Sequence, residues 1–470
     1  MSTQSNAMTK SNGNVVAIIA MFFLFAMISF VTNLAAPIGT IWGYKFEGNS
    51  MLGMMGNMMN FLAYLFMGIP AGNLLVKIGY KKTALWAMAV GVIGLFVQWL
   101  SSIIGSDVTL FEMTSNVVTT EGDAAVKTFT VPLNFFIYLL GAFICGFCVC
   151  MLNTVVNPML NLLGGGGNKG NQLIQTGGSL NSLSGTLTPF FVGALIGALS
   201  PSTSMGDVAP LLWIAMGVFA AAFVIISFVA IPEPNLVKGG KKVKYSHSPW
   251  NFRHLVFGVV GIFLYVGIEI GIPGTLNFYL SDQGQGGAGV AGEASKIAGA
   301  IVAIYWLLML IGRFCSSIIS GKVSTRAQLI TVSAVGIVLV ILAIVTPKTV
   351  TFNVPEVIYS GGAVAPVSAL FLVLCGLCTS VMWGGIFNLA VEGLGKYTAQ
   401  ASGIFMMMVV GGGVMPLIQN WIAGTAGYMA SYWLVVAMLG YLLFYGLIGC
   451  RNVNKDIPVN IEEEEKEELV

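Results

Sequence analysis

Long apolar runs that are almost free of charged residues dominate this sequence. Twelve of them are long enough to cross the roughly 30 Å hydrocarbon core of a bilayer: residues 14–40, 51–76, 83–104, 132–163, 172–199, 209–231, 255–280, 297–320, 328–347, 366–391, 400–423 and 428–450. Only 9% of all residues are charged, compared with about a quarter in a soluble domain. Because lipid offers the backbone no hydrogen-bonding partner, each run is predicted to be a helix. The sequence therefore predicts an all-α membrane protein with twelve transmembrane spans, numbered below in chain order.

The distribution of positive charge predicts the orientation of the spans. Sixteen of the 21 Lys and Arg residues fall on the side of both termini, four fall on the other side, and Arg313 lies within a span. By the positive-inside rule, both termini are predicted to be cytoplasmic. The first run is too long for the apolar core of a signal peptide and is predicted to remain as the first span.

A basic connection separates the first six spans from the last six. The predicted organisation is an N-terminal tail over 1–13, a six-helix bundle over 14–231, a linker over 232–254, a second six-helix bundle over 255–450 and an acidic tail over 451–470. We interpret the basic residues of the linker as topology determinants that meet anionic headgroups, so no nucleic acid partner is predicted.

The two halves contain an internal repeat. VCMLNTVVNPMLNLLG (149–164) aligns without gaps on SVMWGGIFNLAVEGLG (380–395), which places Asn157 on Asn388. The segments that follow, 188–197 and 415–424, are also similar. Such repeats are typical of a transporter built from two bundles that a pseudo-twofold axis relates, with a substrate site between them.

Several motifs resemble a known family. GNLLVKIGYKK (72–82) resembles the loop signature of the major facilitator superfamily, with Val76 at the usual acidic position. FLYVGIEIGIPGTLNFYLSD (263–282), YWLLMLIGRF (305–314) and FNLAVEGLGKYTAQASGIFMMMVVGGGVMPLIQ (387–419) resemble the bacterial fucose and glucose/galactose transporters. The resemblance implies the major facilitator fold, transport of a hexose-like sugar by alternating access and a bacterial cytoplasmic membrane. The protein is predicted to be a monomer.

The resemblance fails at two positions that matter for coupling. In the fucose transporters, an Asp of the first span and a Glu of the fourth are associated with proton coupling. Here those positions are occupied by Asn33 and Asn153. A carboxamide can hydrogen-bond a sugar but cannot titrate. Proton coupling is therefore not predicted at either position.

Charged residues within the spans occur only in the second half. The first six predicted spans contain no Asp, Glu, Lys or Arg, whereas the second half contains Glu269 and Arg313, with Glu392 at a helix end. Because a carboxylate within a bilayer is costly and usually functional, Glu269 is predicted to bind substrate or a co-transported H⁺ or Na⁺. The alternative is a structural pair with Arg313. Counting about 1.5 Å per residue from the helix ends separates the two in depth by roughly 8 Å, so a direct pair is not favoured. Arg313 is left open between packing at a cytoplasmic gate and a functional role.

Amide and aromatic side chains form the predicted sugar site, because amides both donate and accept hydrogen bonds and aromatic rings stack on sugar rings. The amide candidates are Asn33, Asn153, Asn157, Gln175, Asn181, Asn277, Asn388, Gln419 and Asn420, and the aromatic candidates are Tyr265, Tyr305, Trp306 and Trp383. The alternative is that these amides hold helices together. The glycines at 411–413 before Pro416 are predicted to be either a flexing point or a close-packing surface.

The remaining motifs argue against enzyme chemistry. The sequence has no ATP-binding motif, and its two His residues, His247 and His254, lie near the linker without a nucleophile or metal cluster. No catalytic residue, metal site or cofactor is predicted. We predict a secondary transporter of a neutral hexose-like sugar with cation symport. The alternatives are an uncoupled facilitator, a transporter of another small polar solute, or a membrane receptor or scaffold.

Overall fold

The computed structural model describes residues 2–46, 50–118, 124–196, 202–233, 247–282, 286–291, 294–360 and 362–459. Its helices are α1 (Ser2–Lys45), α2 (Ser50–Leu100), α3 (Leu133–Leu163), α4 (Gly167–Ile196), α5 (Met205–Phe228), α6 (Arg253–Ser281), α7 (Ala294–Ile319), α8 (Thr325–Val345), α9 (Ser368–Ala390), α10 (Thr398–Met407), α11 (Gly411–Ala426) and α12 (Tyr428–Phe444). Two antiparallel hairpins pair β1 (Thr109–Val118) with β2 (Ala124–Pro132) and β3 (Thr351–Val354) with β4 (Ala363–Pro366).

These helices account for all twelve predicted runs. Ten described helical stretches are long and apolar enough to cross a membrane. One of them, α2, contains both the second and the third predicted span and bends at Gly79, where φ is 85° and ψ is 174°. The fifth span corresponds to α4, which carries many Asn, Gln, Ser and Thr residues. A 3₁₀ segment over Met408–Val410 joins α10 to α11, so that together they form the eleventh span.

The bend in α2 lies within the loop signature at 72–82. The left-handed backbone of Gly79 suits glycine, and a Cβ there would meet the Glu233 carboxylate. A helix that restarts after such a bend has backbone N–H groups without a partner. Glu233 accepts hydrogen bonds from two of them, at 2.7 Å from Tyr80 N and 2.9 Å from Lys81 N. The Lys81 ammonium donates to the Ser227 carbonyl at 2.7 Å, which ties the bend to the end of α5.

The two hairpins occupy equivalent places in the internal repeat. The pair β1 and β2 connects the third span to the fourth, and the pair β3 and β4 connects the ninth to the tenth. The sequence interpretation did not include either hairpin. The repeat therefore extends from the helices into the connections between them.

The contacts divide the chain into two compact units. The first comprises residues 1–163, 180–244 and 402–407, and the second comprises residues 164–179, 245–401 and 408–470. The predicted bundle boundaries at 231 and 255 stay a prediction. Residues 234–246 of the predicted linker and 460–470 of the acidic tail lie outside the described residues.

Candidate functional site

The two charged residues within the spans of the second unit form an ion pair. The Arg313 guanidinium on α7 lies 3.0 Å from a carboxylate oxygen of Glu269 on α6, and the two side chains are only 11% and 13% exposed. A second guanidinium nitrogen lies 3.4 Å from the carbonyl oxygen of Gly178 on α4. The expectation that a direct pair is not favoured was wrong. Depth counted from helix ends assumes that the ends are level, and Arg carries a side chain long enough to span a difference in depth.

Two fully buried tyrosines, Tyr305 and Tyr265, lie next to this ion pair. Tyr305 on α7 is fully buried, and its hydroxyl lies 3.3 Å from the Glu269 carbonyl oxygen and 2.9 Å from the Thr379 hydroxyl on α9. Tyr265 on α6 is also fully buried and lies beside Glu269 and Arg313. The ring of Trp383 lies 6.3 Å from that of Tyr265. Besides Arg313, the described neighbours of Glu269 on α6 and α7 are therefore aromatic residues, and two of them carry hydroxyl groups.

The remaining aromatic candidate has a different environment. Trp306 follows Tyr305 on α7 and is exposed, with its ring edge-on to that of Tyr305 at 5.4 Å. Of the four aromatic candidates, Trp306 alone is an exposed side chain, and Trp383 is half-buried. Sugar stacking by any of the four stays a prediction.

The asparagine stripe on α3 is hydrogen-bonded within the first unit. Asn153 donates to the Tyr64 hydroxyl on α2 at 2.8 Å, and Asn157 donates to the Asn153 carbonyl at 2.9 Å. Both side chains are buried. These contacts match the alternative in which the amides hold helices together, because Asn153 joins α3 to α2.

Two further amides of the first unit lie on facing helices. Asn33 on α1 donates to the Ser29 carbonyl at 2.8 Å, and Asn181 on α4 donates to the Phe25 carbonyl at 2.9 Å. A Cβ at Gly185 of α4 would lie 2.7 Å from the Asn33 amide nitrogen. Asn33 and Asn181 are half-buried, so each retains some accessible surface at the contact between α1 and α4.

The amides of the second unit are dispersed over several helices. Gln175 on α4 donates to the Val381 carbonyl at 2.9 Å, and Asn388 on α9 donates to the Thr325 hydroxyl at 3.2 Å. Asn420 accepts from Thr275 at 3.4 Å, whereas Asn277 is half-buried on α6. These residues do not converge with Glu269 on one described hydrogen-bond network.

Gln419 differs from the other amides. It is fully buried on α11, and neither its nitrogen nor its oxygen has a hydrogen-bond partner among the described residues. Its oxygen lies against Gly271 of α6, where a Cβ would overlap it. Pro416, on the same helix, is half-buried, and the 3₁₀ segment over 408–410 precedes the glycines at 411–413. A Cβ at Gly411 would overlap the Phe263 carbonyl, so at least this glycine serves close packing.

Three contributors to the site were missed by the sequence interpretation. Thr379 hydrogen-bonds Tyr305, Tyr64 accepts from Asn153, and the Gly178 carbonyl contacts Arg313. Thr379 and Gly178 lie in apolar or small-residue stretches and carry no local signal. Within the described residues, no group of three or more His, Cys, Asp or Glu side chains could hold a metal ion.

Comparison with known proteins identifies the family. The Major Facilitator Superfamily profile matches residues 16–416. The chain belongs to the Major Facilitator Superfamily. Its members are transporters, so this superfamily protein is a multi-pass membrane transporter and not an enzyme, and the predicted fold is confirmed.

Relatives and a solved structure match over almost the whole chain. The protein is 28% identical to the glucose/galactose transporter of Brucella abortus, over 93% of this chain and 94% of that one. It is 21% identical to the L-fucose-proton symporter of Escherichia coli, over 94% and 96% of the two chains. The crystal structure of FucP in the outward conformation matches with a TM-score of 0.69 at 17% identity, covering 92% of this chain and 98% of FucP.

Proposed function

We propose that this superfamily member moves a neutral hexose-like sugar across the cytoplasmic membrane of a bacterium by alternating access, as a monomer with both termini in the cytoplasm. The observation that carries the proposal is the match to a glucose/galactose transporter over more than nine-tenths of both chains. The wealth of amides in the spans supports it, because amides suit a solute with many hydroxyls and no charge.

We further propose that a cation drives accumulation through Glu269. A ligand shifts a conformational equilibrium only if it binds the two states differently. Glu269 meets the Arg313 guanidinium in the described state, and a bound H⁺ or Na⁺ could replace that guanidinium in the other state. Since Asn33 and Asn153 cannot titrate, Glu269 is the acidic residue that lies deep within the predicted spans.

Uncoupled facilitation is the second candidate, and the same ion pair favours it. A carboxylate that is satisfied by a buried guanidinium can serve structure alone, because leaving either charge unpaired would be costly. In that case, the sugar moves down its own gradient and Glu269 binds no cation during the cycle.

Uptake into proteoliposomes distinguishes these candidates. A panel of labelled sugars is offered with and without a proton or sodium gradient to the wild type and to Glu269→Gln. The matched control is Glu392→Gln, which removes an exposed carboxylate at the end of α9. We expect gradient-driven accumulation of a hexose by the wild type and by Glu392→Gln, and its loss in Glu269→Gln. Exchange measured alongside separates lost coupling from lost binding.

Each other outcome points to one alternative. Accumulation that survives in Glu269→Gln removes this residue from the coupling role. Wild-type exchange that no gradient affects means a facilitator. If no member of the panel enters, the sugar proposal fails, and another solute or a receptor function takes its place.

A further inference from the structure

Glu269 lies four residues before a proline on α6. Pro273 has no backbone N–H, so the carbonyl of Glu269 lacks the donor that an uninterrupted helix would supply. The helix nevertheless continues from Arg253 to Ser281. Because lipid offers no replacement donor, a carbonyl freed in this way needs a partner from the protein.

Tyr305 is placed to be that partner. Its hydroxyl lies 3.3 Å from the Glu269 carbonyl oxygen and 2.9 Å from the Thr379 hydroxyl. Thr379 has carbonyl oxygens of its own helix at 3.2 Å, which can accept its proton. The single proton of Tyr305 therefore faces two acceptors, the Thr379 oxygen and the freed carbonyl.

Helix α7 contacts Glu269 at two levels. Arg313 binds the carboxylate, and Tyr305, eight residues earlier and about 12 Å away along the helix axis, reaches the backbone carbonyl of the same residue. The side chain and the main chain of Glu269 are thus both held by α7.

The position of α7 is itself fixed against α9. A Cβ at Gly376 of α9 would overlap the Tyr305 carbonyl, and a Cβ at Gly312 of α7 would overlap the Ser380 hydroxyl. The first contact lies at Tyr305 and the second lies next to Arg313. Close packing against α9 therefore fixes α7 near both of the residues that contact Glu269.

We propose that Tyr305 is a positioning residue for Glu269 rather than a surface on which sugar stacks. Its hydroxyl replaces the hydrogen bond that Pro273 removes, and this keeps the Glu269 carboxylate aligned with Arg313. The importance of this alignment for transport rests on the proposed coupling role of Glu269. The alignment itself does not depend on that role.

The test is a mutant cycle of Tyr305→Phe and Pro273→Ala. The first change removes only the hydroxyl, and the second restores a backbone donor to the Glu269 carbonyl. The readout is the rate at which a hydrophobic carbodiimide modifies Glu269 in membranes, measured by mass spectrometry, with Glu269→Gln as the blank. A protonated carboxyl group adds to the central carbon of a carbodiimide and passes its proton to a carbodiimide nitrogen, which forms an O-acylurea. A Glu269 carboxylate that has left its guanidinium takes up a proton from the medium more readily, so it should react faster. This readout requires no transport, so its failure is distinct from failure of the proposed function.

We expect Tyr305→Phe to raise the labelling rate by roughly threefold to tenfold, as expected for one lost hydrogen bond. In the Pro273→Ala background, the same change should have almost no effect. The matched control is Tyr432→Phe, because the Tyr432 hydroxyl donates to the Ile272 carbonyl of α6 at 2.9 Å and Leu276 retains its own N–H. Tyr432→Phe should leave labelling at the wild-type rate.

Two results would overturn the proposal. The first is a labelling rate of Glu269 in Tyr305→Phe that equals the rate in Tyr432→Phe. The second is a Tyr305→Phe substitution that changes the labelling rate equally in the wild-type and in the Pro273→Ala background. If Pro273→Ala does not assemble, Thr379→Val serves instead, because it removes the competing acceptor and leaves the Tyr305 proton to the Glu269 carbonyl. Labelling in Thr379→Val should not exceed that of the wild type, and a rise like that of Tyr305→Phe counts against the proposal.

Discussion

The buried pair of Glu269 and Arg313 makes a prediction about stability that is independent of transport. Three variants are compared with the wild type: Glu269→Gln, Arg313→Gln and the double substitution. Each single change leaves one member of a largely buried pair without its partner. The double change removes both charges and replaces each charged side chain with a neutral amide, which matches Glu269 in shape and is shorter than Arg313.

The geometry sets the size of the effect. At the observed separation of 3.0 Å, an effective dielectric constant of about 20 gives an attraction of about 5.5 kcal/mol, and the cost of desolvating both charges offsets much of it. Removing one partner of such a pair costs about 3–5 kcal/mol because a charge is left buried. The two single variants should differ, since Arg313 stays charged whereas Glu269 can take up a proton. Glu269→Gln should therefore be the least stable variant, and the double variant the most stable of the three.

Thermal unfolding midpoints of the purified proteins in one detergent check this order. The lipid composition and the detergent are held constant, and the midpoints are compared as ranks. A double variant that loses as much as the two single variants together would show that the groups act independently. An Arg313→Gln variant less stable than Glu269→Gln would show that the guanidinium does not depend on this carboxylate.

Two further predictions concern packing and pH. Gly376→Ala should lower the free energy of unfolding by about 1–3 kcal/mol, because the added Cβ overlaps the Tyr305 carbonyl. The control is Gly299→Ala on α7, which should not lower it, because nothing lies within 4 Å of the added Cβ. Equal thermal midpoints for the two variants would contradict this prediction. Burial raises the pKa of Glu233, and hydrogen bonds from backbone amides oppose the shift. The folded state therefore holds the proton of the Glu233 carboxyl group more tightly than the unfolded state does. Stability should fall as pH rises from the unfolded pKa of about 4.3 through the raised pKa of the folded state. Glu233→Gln should flatten that slope in unfolding measurements across this pH range, and an unchanged slope would show that another group causes it.

The spans could be predicted from sequence because the bilayer imposes a local rule. A segment that crosses lipid must form all of its backbone hydrogen bonds within itself, so it has to be long, apolar and helical. Each of these properties can be recognised from consecutive residues. The bend at Gly79 was not foreseen, although the loop signature was noted, because the helix resumes at once under the cap from Glu233. The hairpins were also missed. Their strands have no strict alternation of polar and apolar residues, and each is defined by its partner across a turn.

The roles of polar residues were harder to predict than their positions. The sequence shows a stripe of asparagines on α3 but not which neighbour each one meets. In the structure, Asn153 meets Tyr64, which is 89 residues away. The pairing of Glu269 with Arg313 depends in the same way on how two helices lie against each other. A count of residues from each helix end cannot supply that information.

One contact between distant residues nevertheless has a signal in the sequence. A proline within a span frees the carbonyl four residues before it, so that this carbonyl needs a donor from another helix. Pro273 frees the Glu269 carbonyl, which lies near Tyr305, and Pro158 frees the Thr154 carbonyl, which accepts from Ser402 at 3.2 Å. Both freed carbonyls thus have a hydroxyl from a distant part of the chain. At Glu269, that contact falls on the backbone of the residue that also carries the buried negative charge.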